Sequence, residues 1–139
     1  ELGHTPLRGK SDPCNCGNSG CFEIYASGRT LVDITQRAGT NIADVFVNPE
    51  HADDIEEWLS NLTLGITATI TFVDPKLVII GGGVPDMKGF PFERLEHKIR
   101  SRSRHPLVEK DLIIKRSNAG PLGGCLGAAM FCFDAMEEN

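Results

Sequence analysis

Four residues near the start of the chain carry the chemistry that stands out: His4, Cys14, Cys16 and Cys21, spaced H-x9-C-x-C-x4-C within ELGHTPLRGKSDPCNCGNSGCFE. One imidazole and three thiols are the donor set of a closed tetrahedral zinc site, with Zn–S near ~2.3 Å and Zn–N near ~2.0 Å. Between them stand turn formers: Pro6, Gly9, Asp12, Pro13, Asn15, Gly17, Asn18, Ser19 and Gly20. Such a segment has little apolar material to fold around, so a metal would supply the missing core. A disulfide among the three cysteines is a second arrangement, and it leaves one thiol over. The spacing also differs from the C-x2-C pairs of common zinc ribbons. Two carboxylates bracket the cluster, Glu1 before His4 and Glu23 after Cys21. Taken alone, Glu1 reads as a solvated chain end and Glu23 as a carboxylate favoured in the first turn of a helix. Three thiolates and a neutral imidazole around Zn2+ sum to about minus one, a poor Lewis acid, which suits a structural rather than a hydrolytic ion.

The elements that must position this loop are those of an ordinary globular chain. At 139 residues it suits one domain or a large part of one. It is 40% hydrophobic and 24% charged, with few aromatics. A net charge of -5 argues against a nucleic-acid-binding face, which is normally basic. Five cysteines without a secretory signal fit a reducing, cytoplasmic setting.

Phe22 to Ala38 reads as a helix with Gly28 a weak point and Gly39 as C-cap. Thr40 or Asn41 caps a short helix, Ile42 to Val47, that stops before Pro49. The most regular segment is Asp53 to Val73, where Ile55, Leu59, Leu62, Ile66, Ile70 and Val73 recur at helical spacing. It carries no charge from Trp58 to Phe72, yet holds too much Thr, Ser and Asn to span a membrane, so burial against a sheet is expected. Lys76 to Ile80 reads as an inner strand, and Gly81, Gly82 and Gly83 end it in a turn that lets backbone approach a ligand closely. Phe92 to Ser103 predicts an amphipathic helix with Leu95 and Ile99 inward. Its basic run of Arg94, Lys98, Arg100, Arg102, Arg104 and His105 is read as a solvated surface. Leu112 to Lys115 predicts a second strand. Pro121 opens a final helix whose apolar positions include Leu122, Leu126, Phe133 and Met136. Cys125 and Cys132, seven apart on that face, are expected to be core thiols, and Gly123, Gly124 and Gly127 to permit close packing.

The motif E-x-G-H followed by C-x-C-G-x2-G-C-x-E, here ELGH and CNCGNSGCFE, resembles the signature of the ROK family of bacterial sugar kinases and sugar-responsive repressors. FVDPKLVIIGGGVPDM and LGGCLGAA extend the likeness over most of the chain, and within the family the wording is nearest to the D-allose kinases. The resemblance implies an α/β fold, part of the C-terminal lobe of an actin-like ATPase (ribonuclease H-like). It implies His4, Cys14, Cys16 and Cys21 as zinc ligands, with Glu1, His4 and Glu23 on sugar hydroxyls. It implies Gly81, Gly82 and Gly83 at the adenosine side of ATP, Mg2+ and a catalytic aspartate in the full-length protein, and a homodimer in the cytoplasm. Residues 1–23 would be the zinc and sugar segment and 24–139 the helices and sheet of the lobe. No D-x-G-G-T-like phosphate loop precedes the cysteines and the chain opens inside a motif. The expectation is therefore a C-terminal fragment without kinase activity by itself. The alternative within the family is the effector domain of a repressor, which an N-terminal helix-turn-helix would reveal.

Overall fold

The longest apolar repeat becomes the longest helix, and the rest is laid around it. In the computed structural model, which describes residues 1–104, 112–120 and 122–137, α1 spans Phe22–Ala26, α2 Gly28–Ala38 and α3 Ala52–Val73. Strand β1 is Leu77–Ile80, α4 Phe92–Arg102, β2 Ile113–Arg116 and α5 Gly123–Glu137. Asp53 and Asp54 sit in the first turn of α3, at the positive end of its dipole. Asp74 stops the helix in the left-handed region, φ 49°, with its N–H on the carbonyl of Ile70. The threonines that argued against a membrane span are accommodated inside the helix. Thr63, Thr67, Thr69 and Thr71 each donate to the carbonyl four residues back, which hides the hydroxyl.

Leu59 on α3, Leu31 and Ile34 on α2, and Leu95 and Ile99 on α4 meet in one core with Trp58 and Ile55. Trp58, Phe46 and Phe90 form a triad at centroid distances of 5.5 to 6.5 Å, two of the three pairs edge-to-face. The two strands pair in parallel, Leu77 opposite Ile113 and Ile80 opposite Arg116. Val78, Ile80 and Ile114 turn towards the α3 side of the core. Leu77, Ile79 and Ile113 lie on the other face and are exposed. The expectation of an inner strand is thus met on one face only, because no described element covers the second.

Four sequence readings change. Phe22 to Ala38 is two helices, because Ser27 is extended (φ −97°, ψ 173°) and its carbonyl is taken by Trp58 Nε1 at 3.1 Å. Ile42 to Val47 shrinks to a 3-10 turn, Ile42–Asp44, capped by Asn41. Cys125 and Cys132 are not core thiols: both are exposed, as are Leu126, Phe131 and Phe133 beside them. From Gly123 to Phe133 helix α5 carries no charged side chain, and its exposed apolar side chains find no cover among the described residues. Part of the basic run on α4 is paired rather than merely solvated: Arg94 and Lys98 both reach Glu56, and Arg100 holds Glu96 and the carbonyl of Leu112. His105 and Pro121 lie outside the described residues. Among the described residues no helix is long and apolar enough to cross a membrane.

Candidate metal centre and adjoining cleft

The cysteine loop folds back on itself through backbone pairing. Leu7 N–H donates to Gly20 O and Phe22 N–H to Thr5 O, both at 2.8 Å, so residues 5–7 run beside 20–22. A second bridge sets Pro13 against Ser19, with Cys14 N–H on Asn18 O at 2.8 Å. Two polar clasps tie the far end to the helices. The Tyr25 hydroxyl donates to Asp12 Oδ2 at 2.6 Å and accepts from Asp12 N–H at 3.0 Å. Lys10 Nζ donates to Glu57 Oε1 at 2.9 Å and lies over the Tyr25 ring.

This folding gathers the four predicted donors. One ligand atom from each of His4, Cys14, Cys16 and Cys21 lies within 4.8 Å of the others. Tetrahedral Zn2+ with bonds near 2.3 Å to sulfur and 2.0 Å to nitrogen implies S···S edges of about 3.8 Å and N···S edges of about 3.5 Å. Cys16 Sγ and Cys21 Sγ are 3.7 Å apart, and His4 Nδ1 and Cys14 Sγ 3.6 Å, so two opposite edges already have tetrahedral length. The donor set fits a structural ion. Burial, with the neighbouring Cys16 and Cys14 thiols adding to it, pushes the Cys21 thiol up to about 12. A backbone hydrogen bond at Asn18 holds Cys16 below the ordinary thiol value.

Glu1 reaches the imidazole, and Glu23 lines the cleft that His4 also lines, whereas Glu1 is not among its lining residues. His4 Nε2 is 3.4 Å from Glu1 Oε2, so with Nδ1 turned to the thiols the remaining ring nitrogen faces a carboxylate. Glu23 enters beside the turn Leu2–His4 because residue 3 has no side chain: a Cβ on Gly3 would stand 2.9 Å from Glu23 Oε2. His4, Cys14 and Glu23 line a cleft of about 310 Å3, completed by Asn15 from the loop and by Ser27, Arg29 and Asp33 from α2 and its cap. The Glu23 and Asp33 carboxylates and the Arg29 guanidinium on one cleft suit a small ligand rich in hydroxyl groups.

The ROK family profile matches residues 1–135. The chain belongs to the ROK family. Among curated relatives, an N-acetyl-D-glucosamine kinase of Salmonella paratyphi B is 30% identical over 127 residues, covering 84% of this chain and 40% of the kinase. A xylose repressor of Caldicellulosiruptor bescii is 26% identical over 124 residues, covering 74% of this chain and 31% of the repressor. The chain thus spans 31% to 40% of the length of these relatives. A solved ROK glucokinase of Streptomyces griseus, in complex with glucose and AMPPNP, superposes with TM-score 0.75 at 24% identity, over 94% of this chain and 50% of the glucokinase. The fold is that of part of an actin-like ATPase (ribonuclease H-like) lobe, with mixed helix and sheet as expected.

In this ROK chain the triple glycine follows β1, where the carboxyl ends of parallel strands leave room for ligands. Gly81, Gly82 and Gly83 are exposed, and Gly82 has φ 110°. Gly81 is pressed onto the segment after β2: a Cβ there would stand 2.8 Å from that of Ser117, whose N–H bonds Ile80 O at 2.8 Å. The triple glycine is not among the residues that line the cleft at His4. Sequence reasoning missed Asn15, Arg29 and Asp33 on the cleft, and the Tyr25 and Lys10 clasps behind the loop. None of these falls in a spacing that announces a site; Asn15, wedged between two metal-type ligands, gave the nearest hint.

Proposed function

We propose that this chain is the sugar-holding part of an ATP-dependent hexose kinase of the ROK family. The observation that supports the reading is the His4 imidazole, with Cys14 Sγ at one nitrogen and Glu1 at the other, on a cleft that Glu23 also lines. In this reading His4, Cys14, Cys16 and Cys21 hold a structural Zn2+, which fixes the ring's tautomer and angle. Glu1 and Glu23 accept hydrogen bonds from vicinal hydroxyls, and His4 completes the contact. Gly81, Gly82 and Gly83 let backbone approach the adenosine side of ATP, whose phosphates and Mg2+ are held by segments of the full-length protein. Residues 1–23 form the zinc and sugar segment and 24–139 the helices and sheet of the lobe. The catalytic aspartate that takes the proton from the attacking hydroxyl belongs to the full-length protein, so the isolated chain turns nothing over. The full protein acts as a cytoplasmic homodimer. The nearness of the ELGH and GGGVPDM wording to D-allose kinases makes D-allose the first sugar to try.

An ADP-release assay on the full-length protein with D-allose, D-glucose and N-acetyl-D-mannosamine tests the reading. Turnover is expected with at least one hexose, and Glu23→Gln is expected to raise KM about tenfold or more, the loss of one charge-assisted bond. Sugar binding without turnover in the full-length protein would instead favour the repressor reading, which the similarity to a xylose repressor supports. No effect of Glu23→Gln on either KM or binding would remove the cleft from the reaction.

A further inference from the structure

We propose that Cys16 and Cys21 are a redox modification site, a dithiol that a peroxide closes into a disulfide across the back of the cluster. The cluster has two sides. His4 and Cys14 line the cleft, whereas Cys16 and Cys21 do not. Their sulfurs stand 3.7 Å apart, and the only residues between them are Gly17, Asn18, Ser19 and Gly20. Closing that separation to a disulfide's ~2.05 Å needs small side-chain rotations, and a chain with glycines at φ 93° and 70° has the freedom to follow. Access is unequal in a useful way: Cys16 is exposed, while Cys21 is fully buried against the carbonyl of His4. The oxidant meets the first sulfur and the second is already in place to resolve it. Cys14 Sγ lies 3.6 Å from the imidazole Nδ1, on the cleft side of the cluster.

The chemistry balances with hydrogen peroxide as the only co-reactant. Cys16 sulfur attacks one peroxide oxygen, the O–O bond breaks, and a sulfenic acid and one water form. Cys21 sulfur then attacks Cys16 sulfur, the S–S bond forms, the S–O bond breaks, and the oxygen leaves as the second water. Two thiols lose two electrons to one peroxide. Where a metal is bound, both sulfurs leave it, and His4 and Cys14 alone cannot retain it. The imidazole then loses the bond that fixes its tautomer. The consequence for sugar binding rests on the function proposed above; the disulfide itself does not.

The chain is purified with reductant and zinc, stripped of reductant, and treated with one equivalent of hydrogen peroxide. Free thiols are blocked with N-ethylmaleimide, the disulfides reduced, and the released thiols labelled with iodoacetamide. All three loop cysteines fall in one tryptic peptide, residues 11–29, so fragmentation of that peptide assigns the labels. The second label is expected on Cys16 and Cys21 and the first on Cys14, with one metal ion lost per disulfide and recovered after a thiol reductant and zinc. The same pair is expected in chelator-treated protein, so failure of the metal reading and failure of this one are told apart. A Cys125→Ser/Cys132→Ser variant, which leaves the loop untouched, is expected to give the same labels. Second label spread equally over Cys14, confined to Cys125 and Cys132, or absent would each overturn the proposal.

Discussion

The first 26 residues and the α3–α4 pair are held together by different physics. In the loop, the buried apolar inventory is Cys14, Cys21 and Ala26; order comes from backbone bridges, the Tyr25 and Lys10 clasps, and four donors that converge. Around α3, Leu31, Leu59, Leu95 and Ile99 have no exposure, and the threonines carried into the core bond to their own helix. Burying apolar area is undirected, so many side chains share the stability of the second region. Convergent donors are directed, so in the first region each one matters separately. The two regions meet along α3: the Phe22 ring packs on Gly65, Trp58 holds the Ser27 carbonyl, and Lys10 reaches Glu57.

Removing the metal should separate the regions most sharply. Structural zinc supplies about 10–16 kcal/mol of apparent binding energy in zinc-finger peptides, so loss of even part of it should unlock the loop. Chelation, or Cys21→Ser, is expected to abolish hydrogen-exchange protection at the amides of Leu7, Cys14 and Phe22 while those of α3 stay protected. Simultaneous loss in both regions would show that the loop is part of the core after all. The converse experiment is Leu59→Ala. It should cost about 2–5 kcal/mol by cavity formation, lowering the thermal midpoint of the whole domain without changing metal stoichiometry below that midpoint. At the seam, a methyl on Gly65 would stand 2.4 Å from the Phe22 ring. Gly65→Ala should therefore force α1 away at a cost of about 1–3 kcal/mol, weakening metal retention and core stability together. An effect on only one of them would mean that the seam transmits nothing.

The same contrast governs what could be read in advance. The α3 helix, the inward Leu95 and Ile99 and the Gly39 cap were legible because apolar periodicity and turn chemistry act over a few residues. The convergence of His4, Cys14, Cys16 and Cys21 was legible because cysteine and histidine declare their chemistry by type. What escaped depends on contacts across the chain. The Ser27 carbonyl is taken by Trp58, 31 residues away, and Arg29 and Asp33 join Glu23 on one cleft through the fold. Cys125 and Cys132 misled for the opposite reason: a helix apolar enough for a core is written in the sequence, but its cover is not.

The smallest predicted effect is electrostatic and distinguishes the regions by their response to acid and salt. Lys98, with Arg94 second, holds the Glu56 carboxyl below the ordinary carboxylate value, chiefly through the Lys98 hydrogen bond. A carboxyl whose folded pKa is lowered stabilises the fold above its unfolded value of about 4.3, and that contribution disappears as pH falls through the folded value. The Glu56 side chain is 47% exposed, so the pair is worth at most about 0.5 kcal/mol and salt screens it. Wild type and Glu56→Gln should therefore differ slightly and evenly between pH 6 and 8, and converge well below pH 4 or in 1 M salt. The loop should respond differently, because its thiols and imidazole must lose protons to hold an ion. Its metal should be released on acidification with little dependence on salt, even in Glu56→Gln. A metal-release midpoint that moves with ionic strength as the Glu56 difference does would mean that the two regions share one electrostatic origin.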